Sequence, residues 1–274
     1  MEKNDIIFFD LDGVLVSNKF FTTYYLDKVI EELSEINISL NRQDLLLKIF
    51  NLFNSLLISN NNEERVKAFD WDELIRILFK KKYGLEWTNK IEQFYNSTLL
   101  KDYVFLYSDV INNLKWLISQ GYQLSLISNG LSKYQLRVLK VLDIDQYFQN
   151  IILPDHVNDI KPNPRIFNYG LSKYYKLIEK KNNKIIYIGD SIYFDSYGAN
   201  LCKFHSILLY RSCNMKMKKR TIQERTKKFN EDKRLLRYIK KDILLSRFNL
   251  NDIDLNLLKP NKVIYSLNEL RSFL

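Results

Sequence analysis

The chain has 274 residues, of which 46% are hydrophobic and 14% aromatic, and it contains only 7 glycines and 4 prolines. This composition is typical of a globular protein with one large domain, or a core and a smaller lobe, and it argues against extensive disorder. No stretch approaches the roughly 20 apolar residues of a membrane span, and no signal-peptide pattern precedes the first apolar run. With only two cysteines, we expect a cytoplasmic protein without disulfides or membrane contact.

The net charge of +10 is concentrated in one late segment of the chain. Residues 211–262 contain 16 Lys and Arg against 6 Asp and Glu, so this segment alone accounts for the excess and the remainder is neutral. Basicity is therefore a local property, and it is not evidence that the whole protein binds nucleic acid.

The first predicted element is a strand over residues 6–9, where four apolar residues in a row indicate burial on both faces. The strand ends at two carboxylates, Asp10 and Asp12, followed by Gly13. Unpaired buried charge is expensive, so the two acids need a partner, and a hard cation with oxygen ligands is the natural one. Open α/β sheets also place their ligands at the carboxyl ends of central strands.

The next part of the chain, from about residue 19 to 100, has apolar residues at helical spacing and no convincing strand. From residue 108 onward, helices alternate with short apolar strands. The predicted strands are Gln123–Ile127, Ile151–Leu153, Lys184–Ile188, Ser206–Tyr210 and Val263–Leu267, and the predicted helices are Val110–Ser119, Leu131–Leu142 and Ile166–Ile178. This alternation predicts an α/β fold with a Rossmann-like parallel sheet, into which the helical block is inserted after the first strand.

Four polar signatures follow four of these elements in a fixed order. They are Asp10 with Asp12, then Ser128-Asn129, then Lys161 in Lys-Pro-Asn-Pro, then Gly-Asp-Ser at 189–191 with Asp195. In this order and spacing they resemble the four motifs of the haloacid dehalogenase (HAD) superfamily, over residues 5–210 and the closing strand at 263–267. Each signature alone is weak, but all four together are specific.

The resemblance implies a role for each acidic residue. Asp10 would attack phosphorus and form an aspartyl-phosphate, which divides one difficult step into two. Asp12 would protonate the leaving oxygen and then activate water. The carboxylates of Asp10 and Asp190, with the backbone carbonyl of Asp12, would bind Mg²⁺, and Asp195 would orient these metal ligands from behind.

The other two motifs would bind phosphate. Ser128 and the backbone N–H of Asn129 would hold phosphoryl oxygens at a helix start, and Lys161 would offset negative charge. Each motif has an ordinary structural alternative when taken alone: a helix cap or turn for Asp10, Ser128 and Asp195, and an exposed loop position for Lys161. One departure is notable, because Phe194 stands where many family members have asparagine.

Within the family, an acid at position 12 favours phosphate ester hydrolysis, since dehalogenases lack it. The resemblance also implies a C1-type helical cap that closes over the site, and a small phosphorylated metabolite as substrate. A phosphomutase is the alternative reaction. We expect core segments at 1–18 and 103–212, a cap at 19–102, a basic helical insertion at 213–258, and a C-terminal strand and helix at 259–274.

The basic segment supports a second interpretation, a module of this fold that binds nucleic acid or protein through residues 211–262. Seven side chains would form the electrostatic footprint: Lys216, Lys218, Lys219, Arg220, Arg225, Lys227 and Lys228. We favour the plainer interpretation, a solvated helical hairpin.

Overall fold

The computed structural model describes residues 5–84, 97–178, 183–231, 235 and 253–274. Its strands are β1 Ile6–Phe9, β2 Val16–Asn18, β3 Val104–Leu106, β4 Gln123–Ile127, β5 Asn150–Ile152, β6 Ile185–Gly189, β7 His205–Leu209 and β8 Lys262–Ile264. Six of them form one sheet in the order β5-β4-β1-β6-β7-β8, and every pair in it is parallel. The predicted α/β fold with a parallel, Rossmann-like core is confirmed.

Strand β1 lies in the middle of this sheet, between β4 and β6. Its last residue, Phe9, is in register with Leu126 of β4 and Ile188 of β6. Because parallel strands in register end at the same edge, the residues that follow these three strands are brought together. All four residues of β1 are fully buried, as the apolar run predicts.

Helices cover both faces of the sheet and form the inserted block. They are α1 Leu26–Glu35, α2 Arg42–Leu57, α3 Asn62–Lys67, α4 Trp71–Tyr83, α5 Ser97–Tyr103, α6 Val110–Ser119, α7 Ser132–Val141, α8 Pro154–Val157, α9 Pro164–Ser172, α10 Tyr175–Ile178, α11 Gly198–Leu201, α12 Met215–Lys218 and α13 Ile222–Asn230. Alternate residues of a strand point to opposite faces. Accordingly, Ile7 and Phe9 share a core cluster with Leu114 of α6, whereas Ile6 and Phe8 share another with Phe167 of α9.

The inserted block leaves and rejoins the core through a two-stranded antiparallel ribbon. Strand β2 pairs with β3, and the helices α1–α5 lie between them in the chain. The two strands flank the block at 19–100 that was expected to be helical, and neither was predicted, because three residues per strand are too few to show a period of two. The insert begins with a π-helix, Phe21–Tyr25. Residues 91–96 of a predicted helix over 91–100 lie outside the described residues.

The basic segment packs against the edge of the sheet. Met217 of α12 and Phe229 of α13 share a core cluster with Leu208 and Val263. Within the expected basic helical insertion at 213–258 the structure describes α12 and α13, while residues 232–234 and 236–252 lie outside the described residues. Strand β8 is shorter than predicted, and the expected C-terminal helix is a 3₁₀ helix, Leu267–Ser272.

One member of the proposed electrostatic footprint is not on the surface. The Arg225 side chain is only 1% exposed, and its guanidinium pairs with Glu269. The expectation that Arg225 belongs to an exposed basic surface is therefore wrong. Among the described residues, no helix combines the length and apolarity that crossing a bilayer requires.

Candidate active site

The strand ends converge on one cavity of about 420 Å³. Every residue singled out from the sequence as a site residue lines it: Asp10, Asp12, Ser128, Asn129, Lys161, Asp190 and Asp195. Asp10 directly follows β1, Ser128 follows β4 and Asp190 follows β6, so the in-register ends of three adjacent strands explain this convergence.

Lys161 lies at the centre of the charged groups. Its Nζ is 2.8 Å from Asp10 Oδ1 and 2.7 Å from Asp195 Oδ1, and it donates to the Tyr187 hydroxyl at 3.0 Å. The side chain is 2% exposed. Burial alone would lower the pKa of Lys161, but the two carboxylates outweigh burial and raise it. The lysine is therefore a fixed positive charge beside Asp10.

The position of Lys161 depends on Asn129. The Asn129 Oδ1 accepts from the backbone N–H of Lys161 at 2.7 Å, and its Nδ2 donates to the Lys161 carbonyl at 3.3 Å. Sequence analysis assigned Asn129 only a backbone contact with phosphate, and missed this side-chain role. No local signal points to it, because the two partners are 32 residues apart.

Asp195 organises the loop after β6. Its Oδ2 accepts from the backbone N–H groups of Asp190 at 3.0 Å and Ser191 at 2.9 Å. Its Oδ1 accepts from Lys161 and from the Tyr187 hydroxyl, the latter at 3.0 Å. Both oxygens thus have protein donors. A Cβ at Gly189 would lie 2.3 Å from Asp195 Cβ, so only glycine permits this approach.

Asp12 has a different environment from Asp10. The Gln135 side chain in α7 donates to Asp12 Oδ2 at 2.7 Å. The buried Asp12 Oδ1 and Gln135 Oε1 have no hydrogen-bond partner among the described residues. Burial raises the pKa of Asp12, while the hydrogen bond from Gln135, the charge of Lys161 and a hydrogen bond from Asn18 act in the opposite direction. Gln135 was not predicted from the sequence, although it lies in the helix that follows the Ser128-Asn129 motif, three residues after its first residue, Ser132.

The backbone beside Asp12 also depends on a glycine. Gly13 has a φ of +78°, and a Cβ there would lie 2.0 Å from Asp190 Oδ2. A residue with a side chain would be strained at this φ and would displace the Asp190 carboxylate. The glycine thus lets the first and fourth motifs meet.

The acidic groups outnumber their positive partner. One oxygen each from Asp10, Asp190 and Asp195 lies within 4.8 Å of the others. Burial, then the charges of neighbouring acids, raise the pKa of Asp10 to about 7 against the effect of Lys161, and the pKa of Asp190 is also raised well above its ordinary value. A donor set of oxygens with surplus negative charge fits a hard divalent cation. Asp10 and Asp190 have oxygens to offer it, whereas those of Asp195 already accept from the protein.

Aromatic side chains form much of the remaining wall. Phe21, Phe69 and Trp71 come from the insert, and Tyr134 and Phe194 come from the core. Sequence analysis noted only Phe194 as a departure from the family pattern and expected none of the other four.

Comparisons with known proteins identify relatives of this chain. The chain is similar to glyceraldehyde 3-phosphate phosphatase from Pyrococcus furiosus, with 26% identity over 199 residues that cover 73% of this chain and 78% of that protein. It is also similar to pyrophosphatase PpaX from Listeria monocytogenes serotype 4a, with 28% identity over 115 residues. That match covers 41% of this chain and about half, 51%, of the pyrophosphatase.

Two solved structures share the fold. A HAD phosphatase from Thermococcus onnurineus matches with a TM-score of 0.64 at 21% identity, covering 98% of this chain and 96% of that one. A 2-haloacid dehalogenase from Pseudomonas syringae pv. Tomato DC3000 matches with a TM-score of 0.59 at 13% identity, covering 98% and 97%. Residues 7–209, well over half of the chain, match the haloacid dehalogenase-like hydrolase family. The chain therefore belongs to this family.

Proposed function

We propose that this protein is a phosphatase that hydrolyses a small phosphomonoester through an aspartyl-phosphate on Asp10. The observation that carries the proposal is the contrast between two neighbouring carboxylates. Burial raises the pKa of Asp10, and the Lys161 ammonium at 2.8 Å acts against burial and so favours the carboxylate form that a nucleophile needs. Asp12 is paired with a neutral amide and keeps one buried oxygen free, which favours a proton donor.

In the first step, an Asp10 oxygen attacks phosphorus and the bond from phosphorus to the ester oxygen breaks. Asp12 gives its proton to that oxygen, so the alcohol leaves uncharged. The Ser128 hydroxyl, the Asn129 backbone N–H and the Lys161 ammonium are the proposed partners of the phosphoryl oxygens. Asn129 has a second part in this step, because its side chain fixes the backbone of Lys161.

In the second step, Asp12 takes a proton from water as the water oxygen attacks phosphorus. The bond to the Asp10 oxygen breaks, which releases inorganic phosphate and restores both side chains to their starting forms. The carboxylates of Asp10 and Asp190 and the Asp12 carbonyl are the proposed Mg²⁺ ligands, and Asp195 orients the Asp190 loop. When bound, Mg²⁺ supplies positive charge that screens the phosphate from the acids.

The helical insert at 19–102 is the proposed cap of this site. Its Asp70 carboxylate contacts the core at two points, Lys133 Nζ at 2.8 Å and the Tyr134 hydroxyl at 2.7 Å. A cap held against the core excludes bulk water from the reacting groups. The proposed boundaries of the remaining parts are those expected from the sequence: core at 1–18 and 103–212, basic insertion at 213–258, and closing elements at 259–274.

The test is Mg²⁺-dependent hydrolysis of p-nitrophenyl phosphate. We expect activity in the wild type, none after chelation with EDTA, and none in Asp10→Asn. A matched control is Asp143→Asn, which makes the same change at an exposed aspartate whose positive φ asparagine also tolerates. Full activity in Asp10→Asn would refute the assigned nucleophile, and loss of activity in Asp143→Asn would show that the assay responds to any loss of an aspartate.

A further inference from the structure

The cavity walls beyond the acidic cluster are built from two groups of aromatic rings. Phe21 and Trp71 of the insert stack with centroids 5.0 Å apart and planes 9° from parallel, and Tyr134 of the core meets Phe21 edge-on at 5.1 Å. Phe69 of the insert meets Phe194 of the core edge-on at 6.0 Å. All five rings line the same cavity as Asp10 and Asp12. Tyr134 and Phe21 are almost fully buried, at 2% and 9% exposed. The aromatic surface open to a leaving group therefore comes from the half-buried rings, Phe69 and Trp71 of the insert and Phe194 of the core.

Within the described part of the chain, the same wall offers no further cation to pair with a second anionic group. Among the described residues that line the cavity, Lys161 is the only cation, and it already pairs with Asp10 and Asp195. Lys133 directly precedes the wall residue Tyr134 in the chain, but its ammonium pairs with the Asp70 carboxylate at 2.8 Å. A carboxylate or second phosphate on the leaving group would lose its hydration without gaining a counter-charge, and it would face surplus acids.

We propose that the leaving group is an alcohol that carries a flat, uncharged aromatic or heteroaromatic ring. This inference rests on the proposed phosphatase function and names its substrate class. Aromatic rings bind other rings in stacked or edge-on geometry, and both arrangements already occur between the side chains of this cavity. Burial of the ring against Trp71 and Phe69 favours such an ester over an aliphatic one, and the missing counter-charge disfavours an anionic one.

The test uses three primary-alcohol phosphates whose leaving groups have similar intrinsic reactivity: benzyl phosphate, ethyl phosphate and phosphoglycolate. Release of inorganic phosphate is measured for each with Mg²⁺ present. We expect kcat/KM for benzyl phosphate to exceed that for ethyl phosphate roughly tenfold or more, as stacking and burial of one ring allow. We expect phosphoglycolate, in which a carboxylate replaces the methyl group of ethyl phosphate, to be hydrolysed more slowly than ethyl phosphate.

Two variants test whether the rings are responsible. Trp71→Leu and Phe69→Leu each remove one ring of the wall, and we expect the ratio of benzyl to ethyl kcat/KM to fall roughly three- to tenfold in each. The control is Phe50→Leu, the same change at an exposed phenylalanine of the insert, which should leave the ratio unchanged. Because the readout is a ratio within one variant, partial loss of folded enzyme does not affect it.

The outcomes separate this inference from the function on which it rests. Hydrolysis of ethyl phosphate or phosphoglycolate as fast as benzyl phosphate would overturn the aromatic leaving group and leave the phosphatase standing. An unchanged ratio in both Trp71→Leu and Phe69→Leu would overturn it as well. Hydrolysis of none of the three esters would overturn the phosphatase proposal and this inference with it.

Discussion

Arg225→Met tests whether a buried arginine in the basic segment stabilises the fold. The guanidinium of Arg225 donates from Nε to the carbonyl of Met217 at 3.0 Å and from Nη1 to that of Val263 at 3.1 Å. It donates from Nη2 to the carbonyl of Arg220 at 2.9 Å, and both Nη atoms bind the Glu269 carboxylate, at 2.8 and 2.9 Å. Methionine keeps the apolar stem and removes all of these donors.

The expected cost follows from these contacts. Removing one partner of a buried, bidentate ion pair costs about 3–5 kcal/mol, and Glu269 is 18% exposed, so water relieves part of its share. The three backbone carbonyls each lose a hydrogen bond whose net contribution is about 1 kcal/mol. These contributions add to about 6–8 kcal/mol before water relieves Glu269. We therefore expect the free energy of unfolding to fall by at least about 4 kcal/mol, equivalent to a Tm lower by roughly 10 °C or more for a chain of this size.

Urea unfolding followed by far-UV circular dichroism measures this change. Lys227→Met is the matched control, because Lys227 lies two residues further along α13 with its side chain exposed, and we expect it within about 0.5 kcal/mol of wild type. An Arg225→Met variant within about 1 kcal/mol of wild type would refute the reasoning. The expected result would also mean that part of the charge in 211–262 serves folding and is not available to nucleic acid.

Three further predictions concern the site and the sheet edge. Gly189→Ala should lower kcat by at least a hundredfold with little change in the far-UV spectrum, because its Cβ would displace Asp195; near-normal kcat would contradict this close approach. Mg²⁺ should raise the Tm of the wild type, because the cation relieves repulsion among buried carboxylates, and it should raise the Tm of Asp190→Asn much less. Equal increases in Tm would mean that the cation binds elsewhere. Burial acts to raise the pKa of Asp109, but hydrogen bonds led by that from Arg211 outweigh it and lower the pKa. The stability that these hydrogen bonds contribute is complete above the unfolded pKa of about 3.9. It is lost as pH falls through the lower pKa of the folded protein, so the urea midpoints of wild type and Asp109→Asn should converge below about pH 4.

The parallel sheet was predictable because its central strands are mainly apolar runs that end at polar residues. In β1 the run from Ile6 to Phe9 stops at Asp10, and a strand buried on both faces permits no charge before its end. The β2–β3 ribbon was not predictable in the same way. Each of its strands has three residues, and the paired residues Asn18 and Val104 are 86 positions apart in the sequence. Neither the alternation of side chains nor the partner strand is therefore visible locally.

The site was predictable where a residue directly follows a strand, and not where a contact is long-range. The strand ends and their order in the sheet were sufficient to place three residues together: Asp10, Ser128 and Asp190. Tyr187 lies inside β6, where the sequence pattern does not distinguish it from the apolar residues of the strand. Its hydroxyl nevertheless contacts Lys161 and Asp195. Such a contact depends on the register between neighbouring strands, which the apolar pattern alone leaves open.

The proposed acid and the helical insert are linked on both sides of the cavity. Asp12 lies on the loop that leads into β2, where it forms a bridge with Val16 at the start of the ribbon that carries the insert. Its partner Gln135 follows Tyr134, whose hydroxyl binds Asp70 of the insert at 2.7 Å. If the insert moves as the proposed cap, it would act on the Asp12 loop directly and on its hydrogen-bond donor through α7. Closure over a leaving group would set the position of the proton donor at the same time, so that the acid is completed only when the substrate is enclosed.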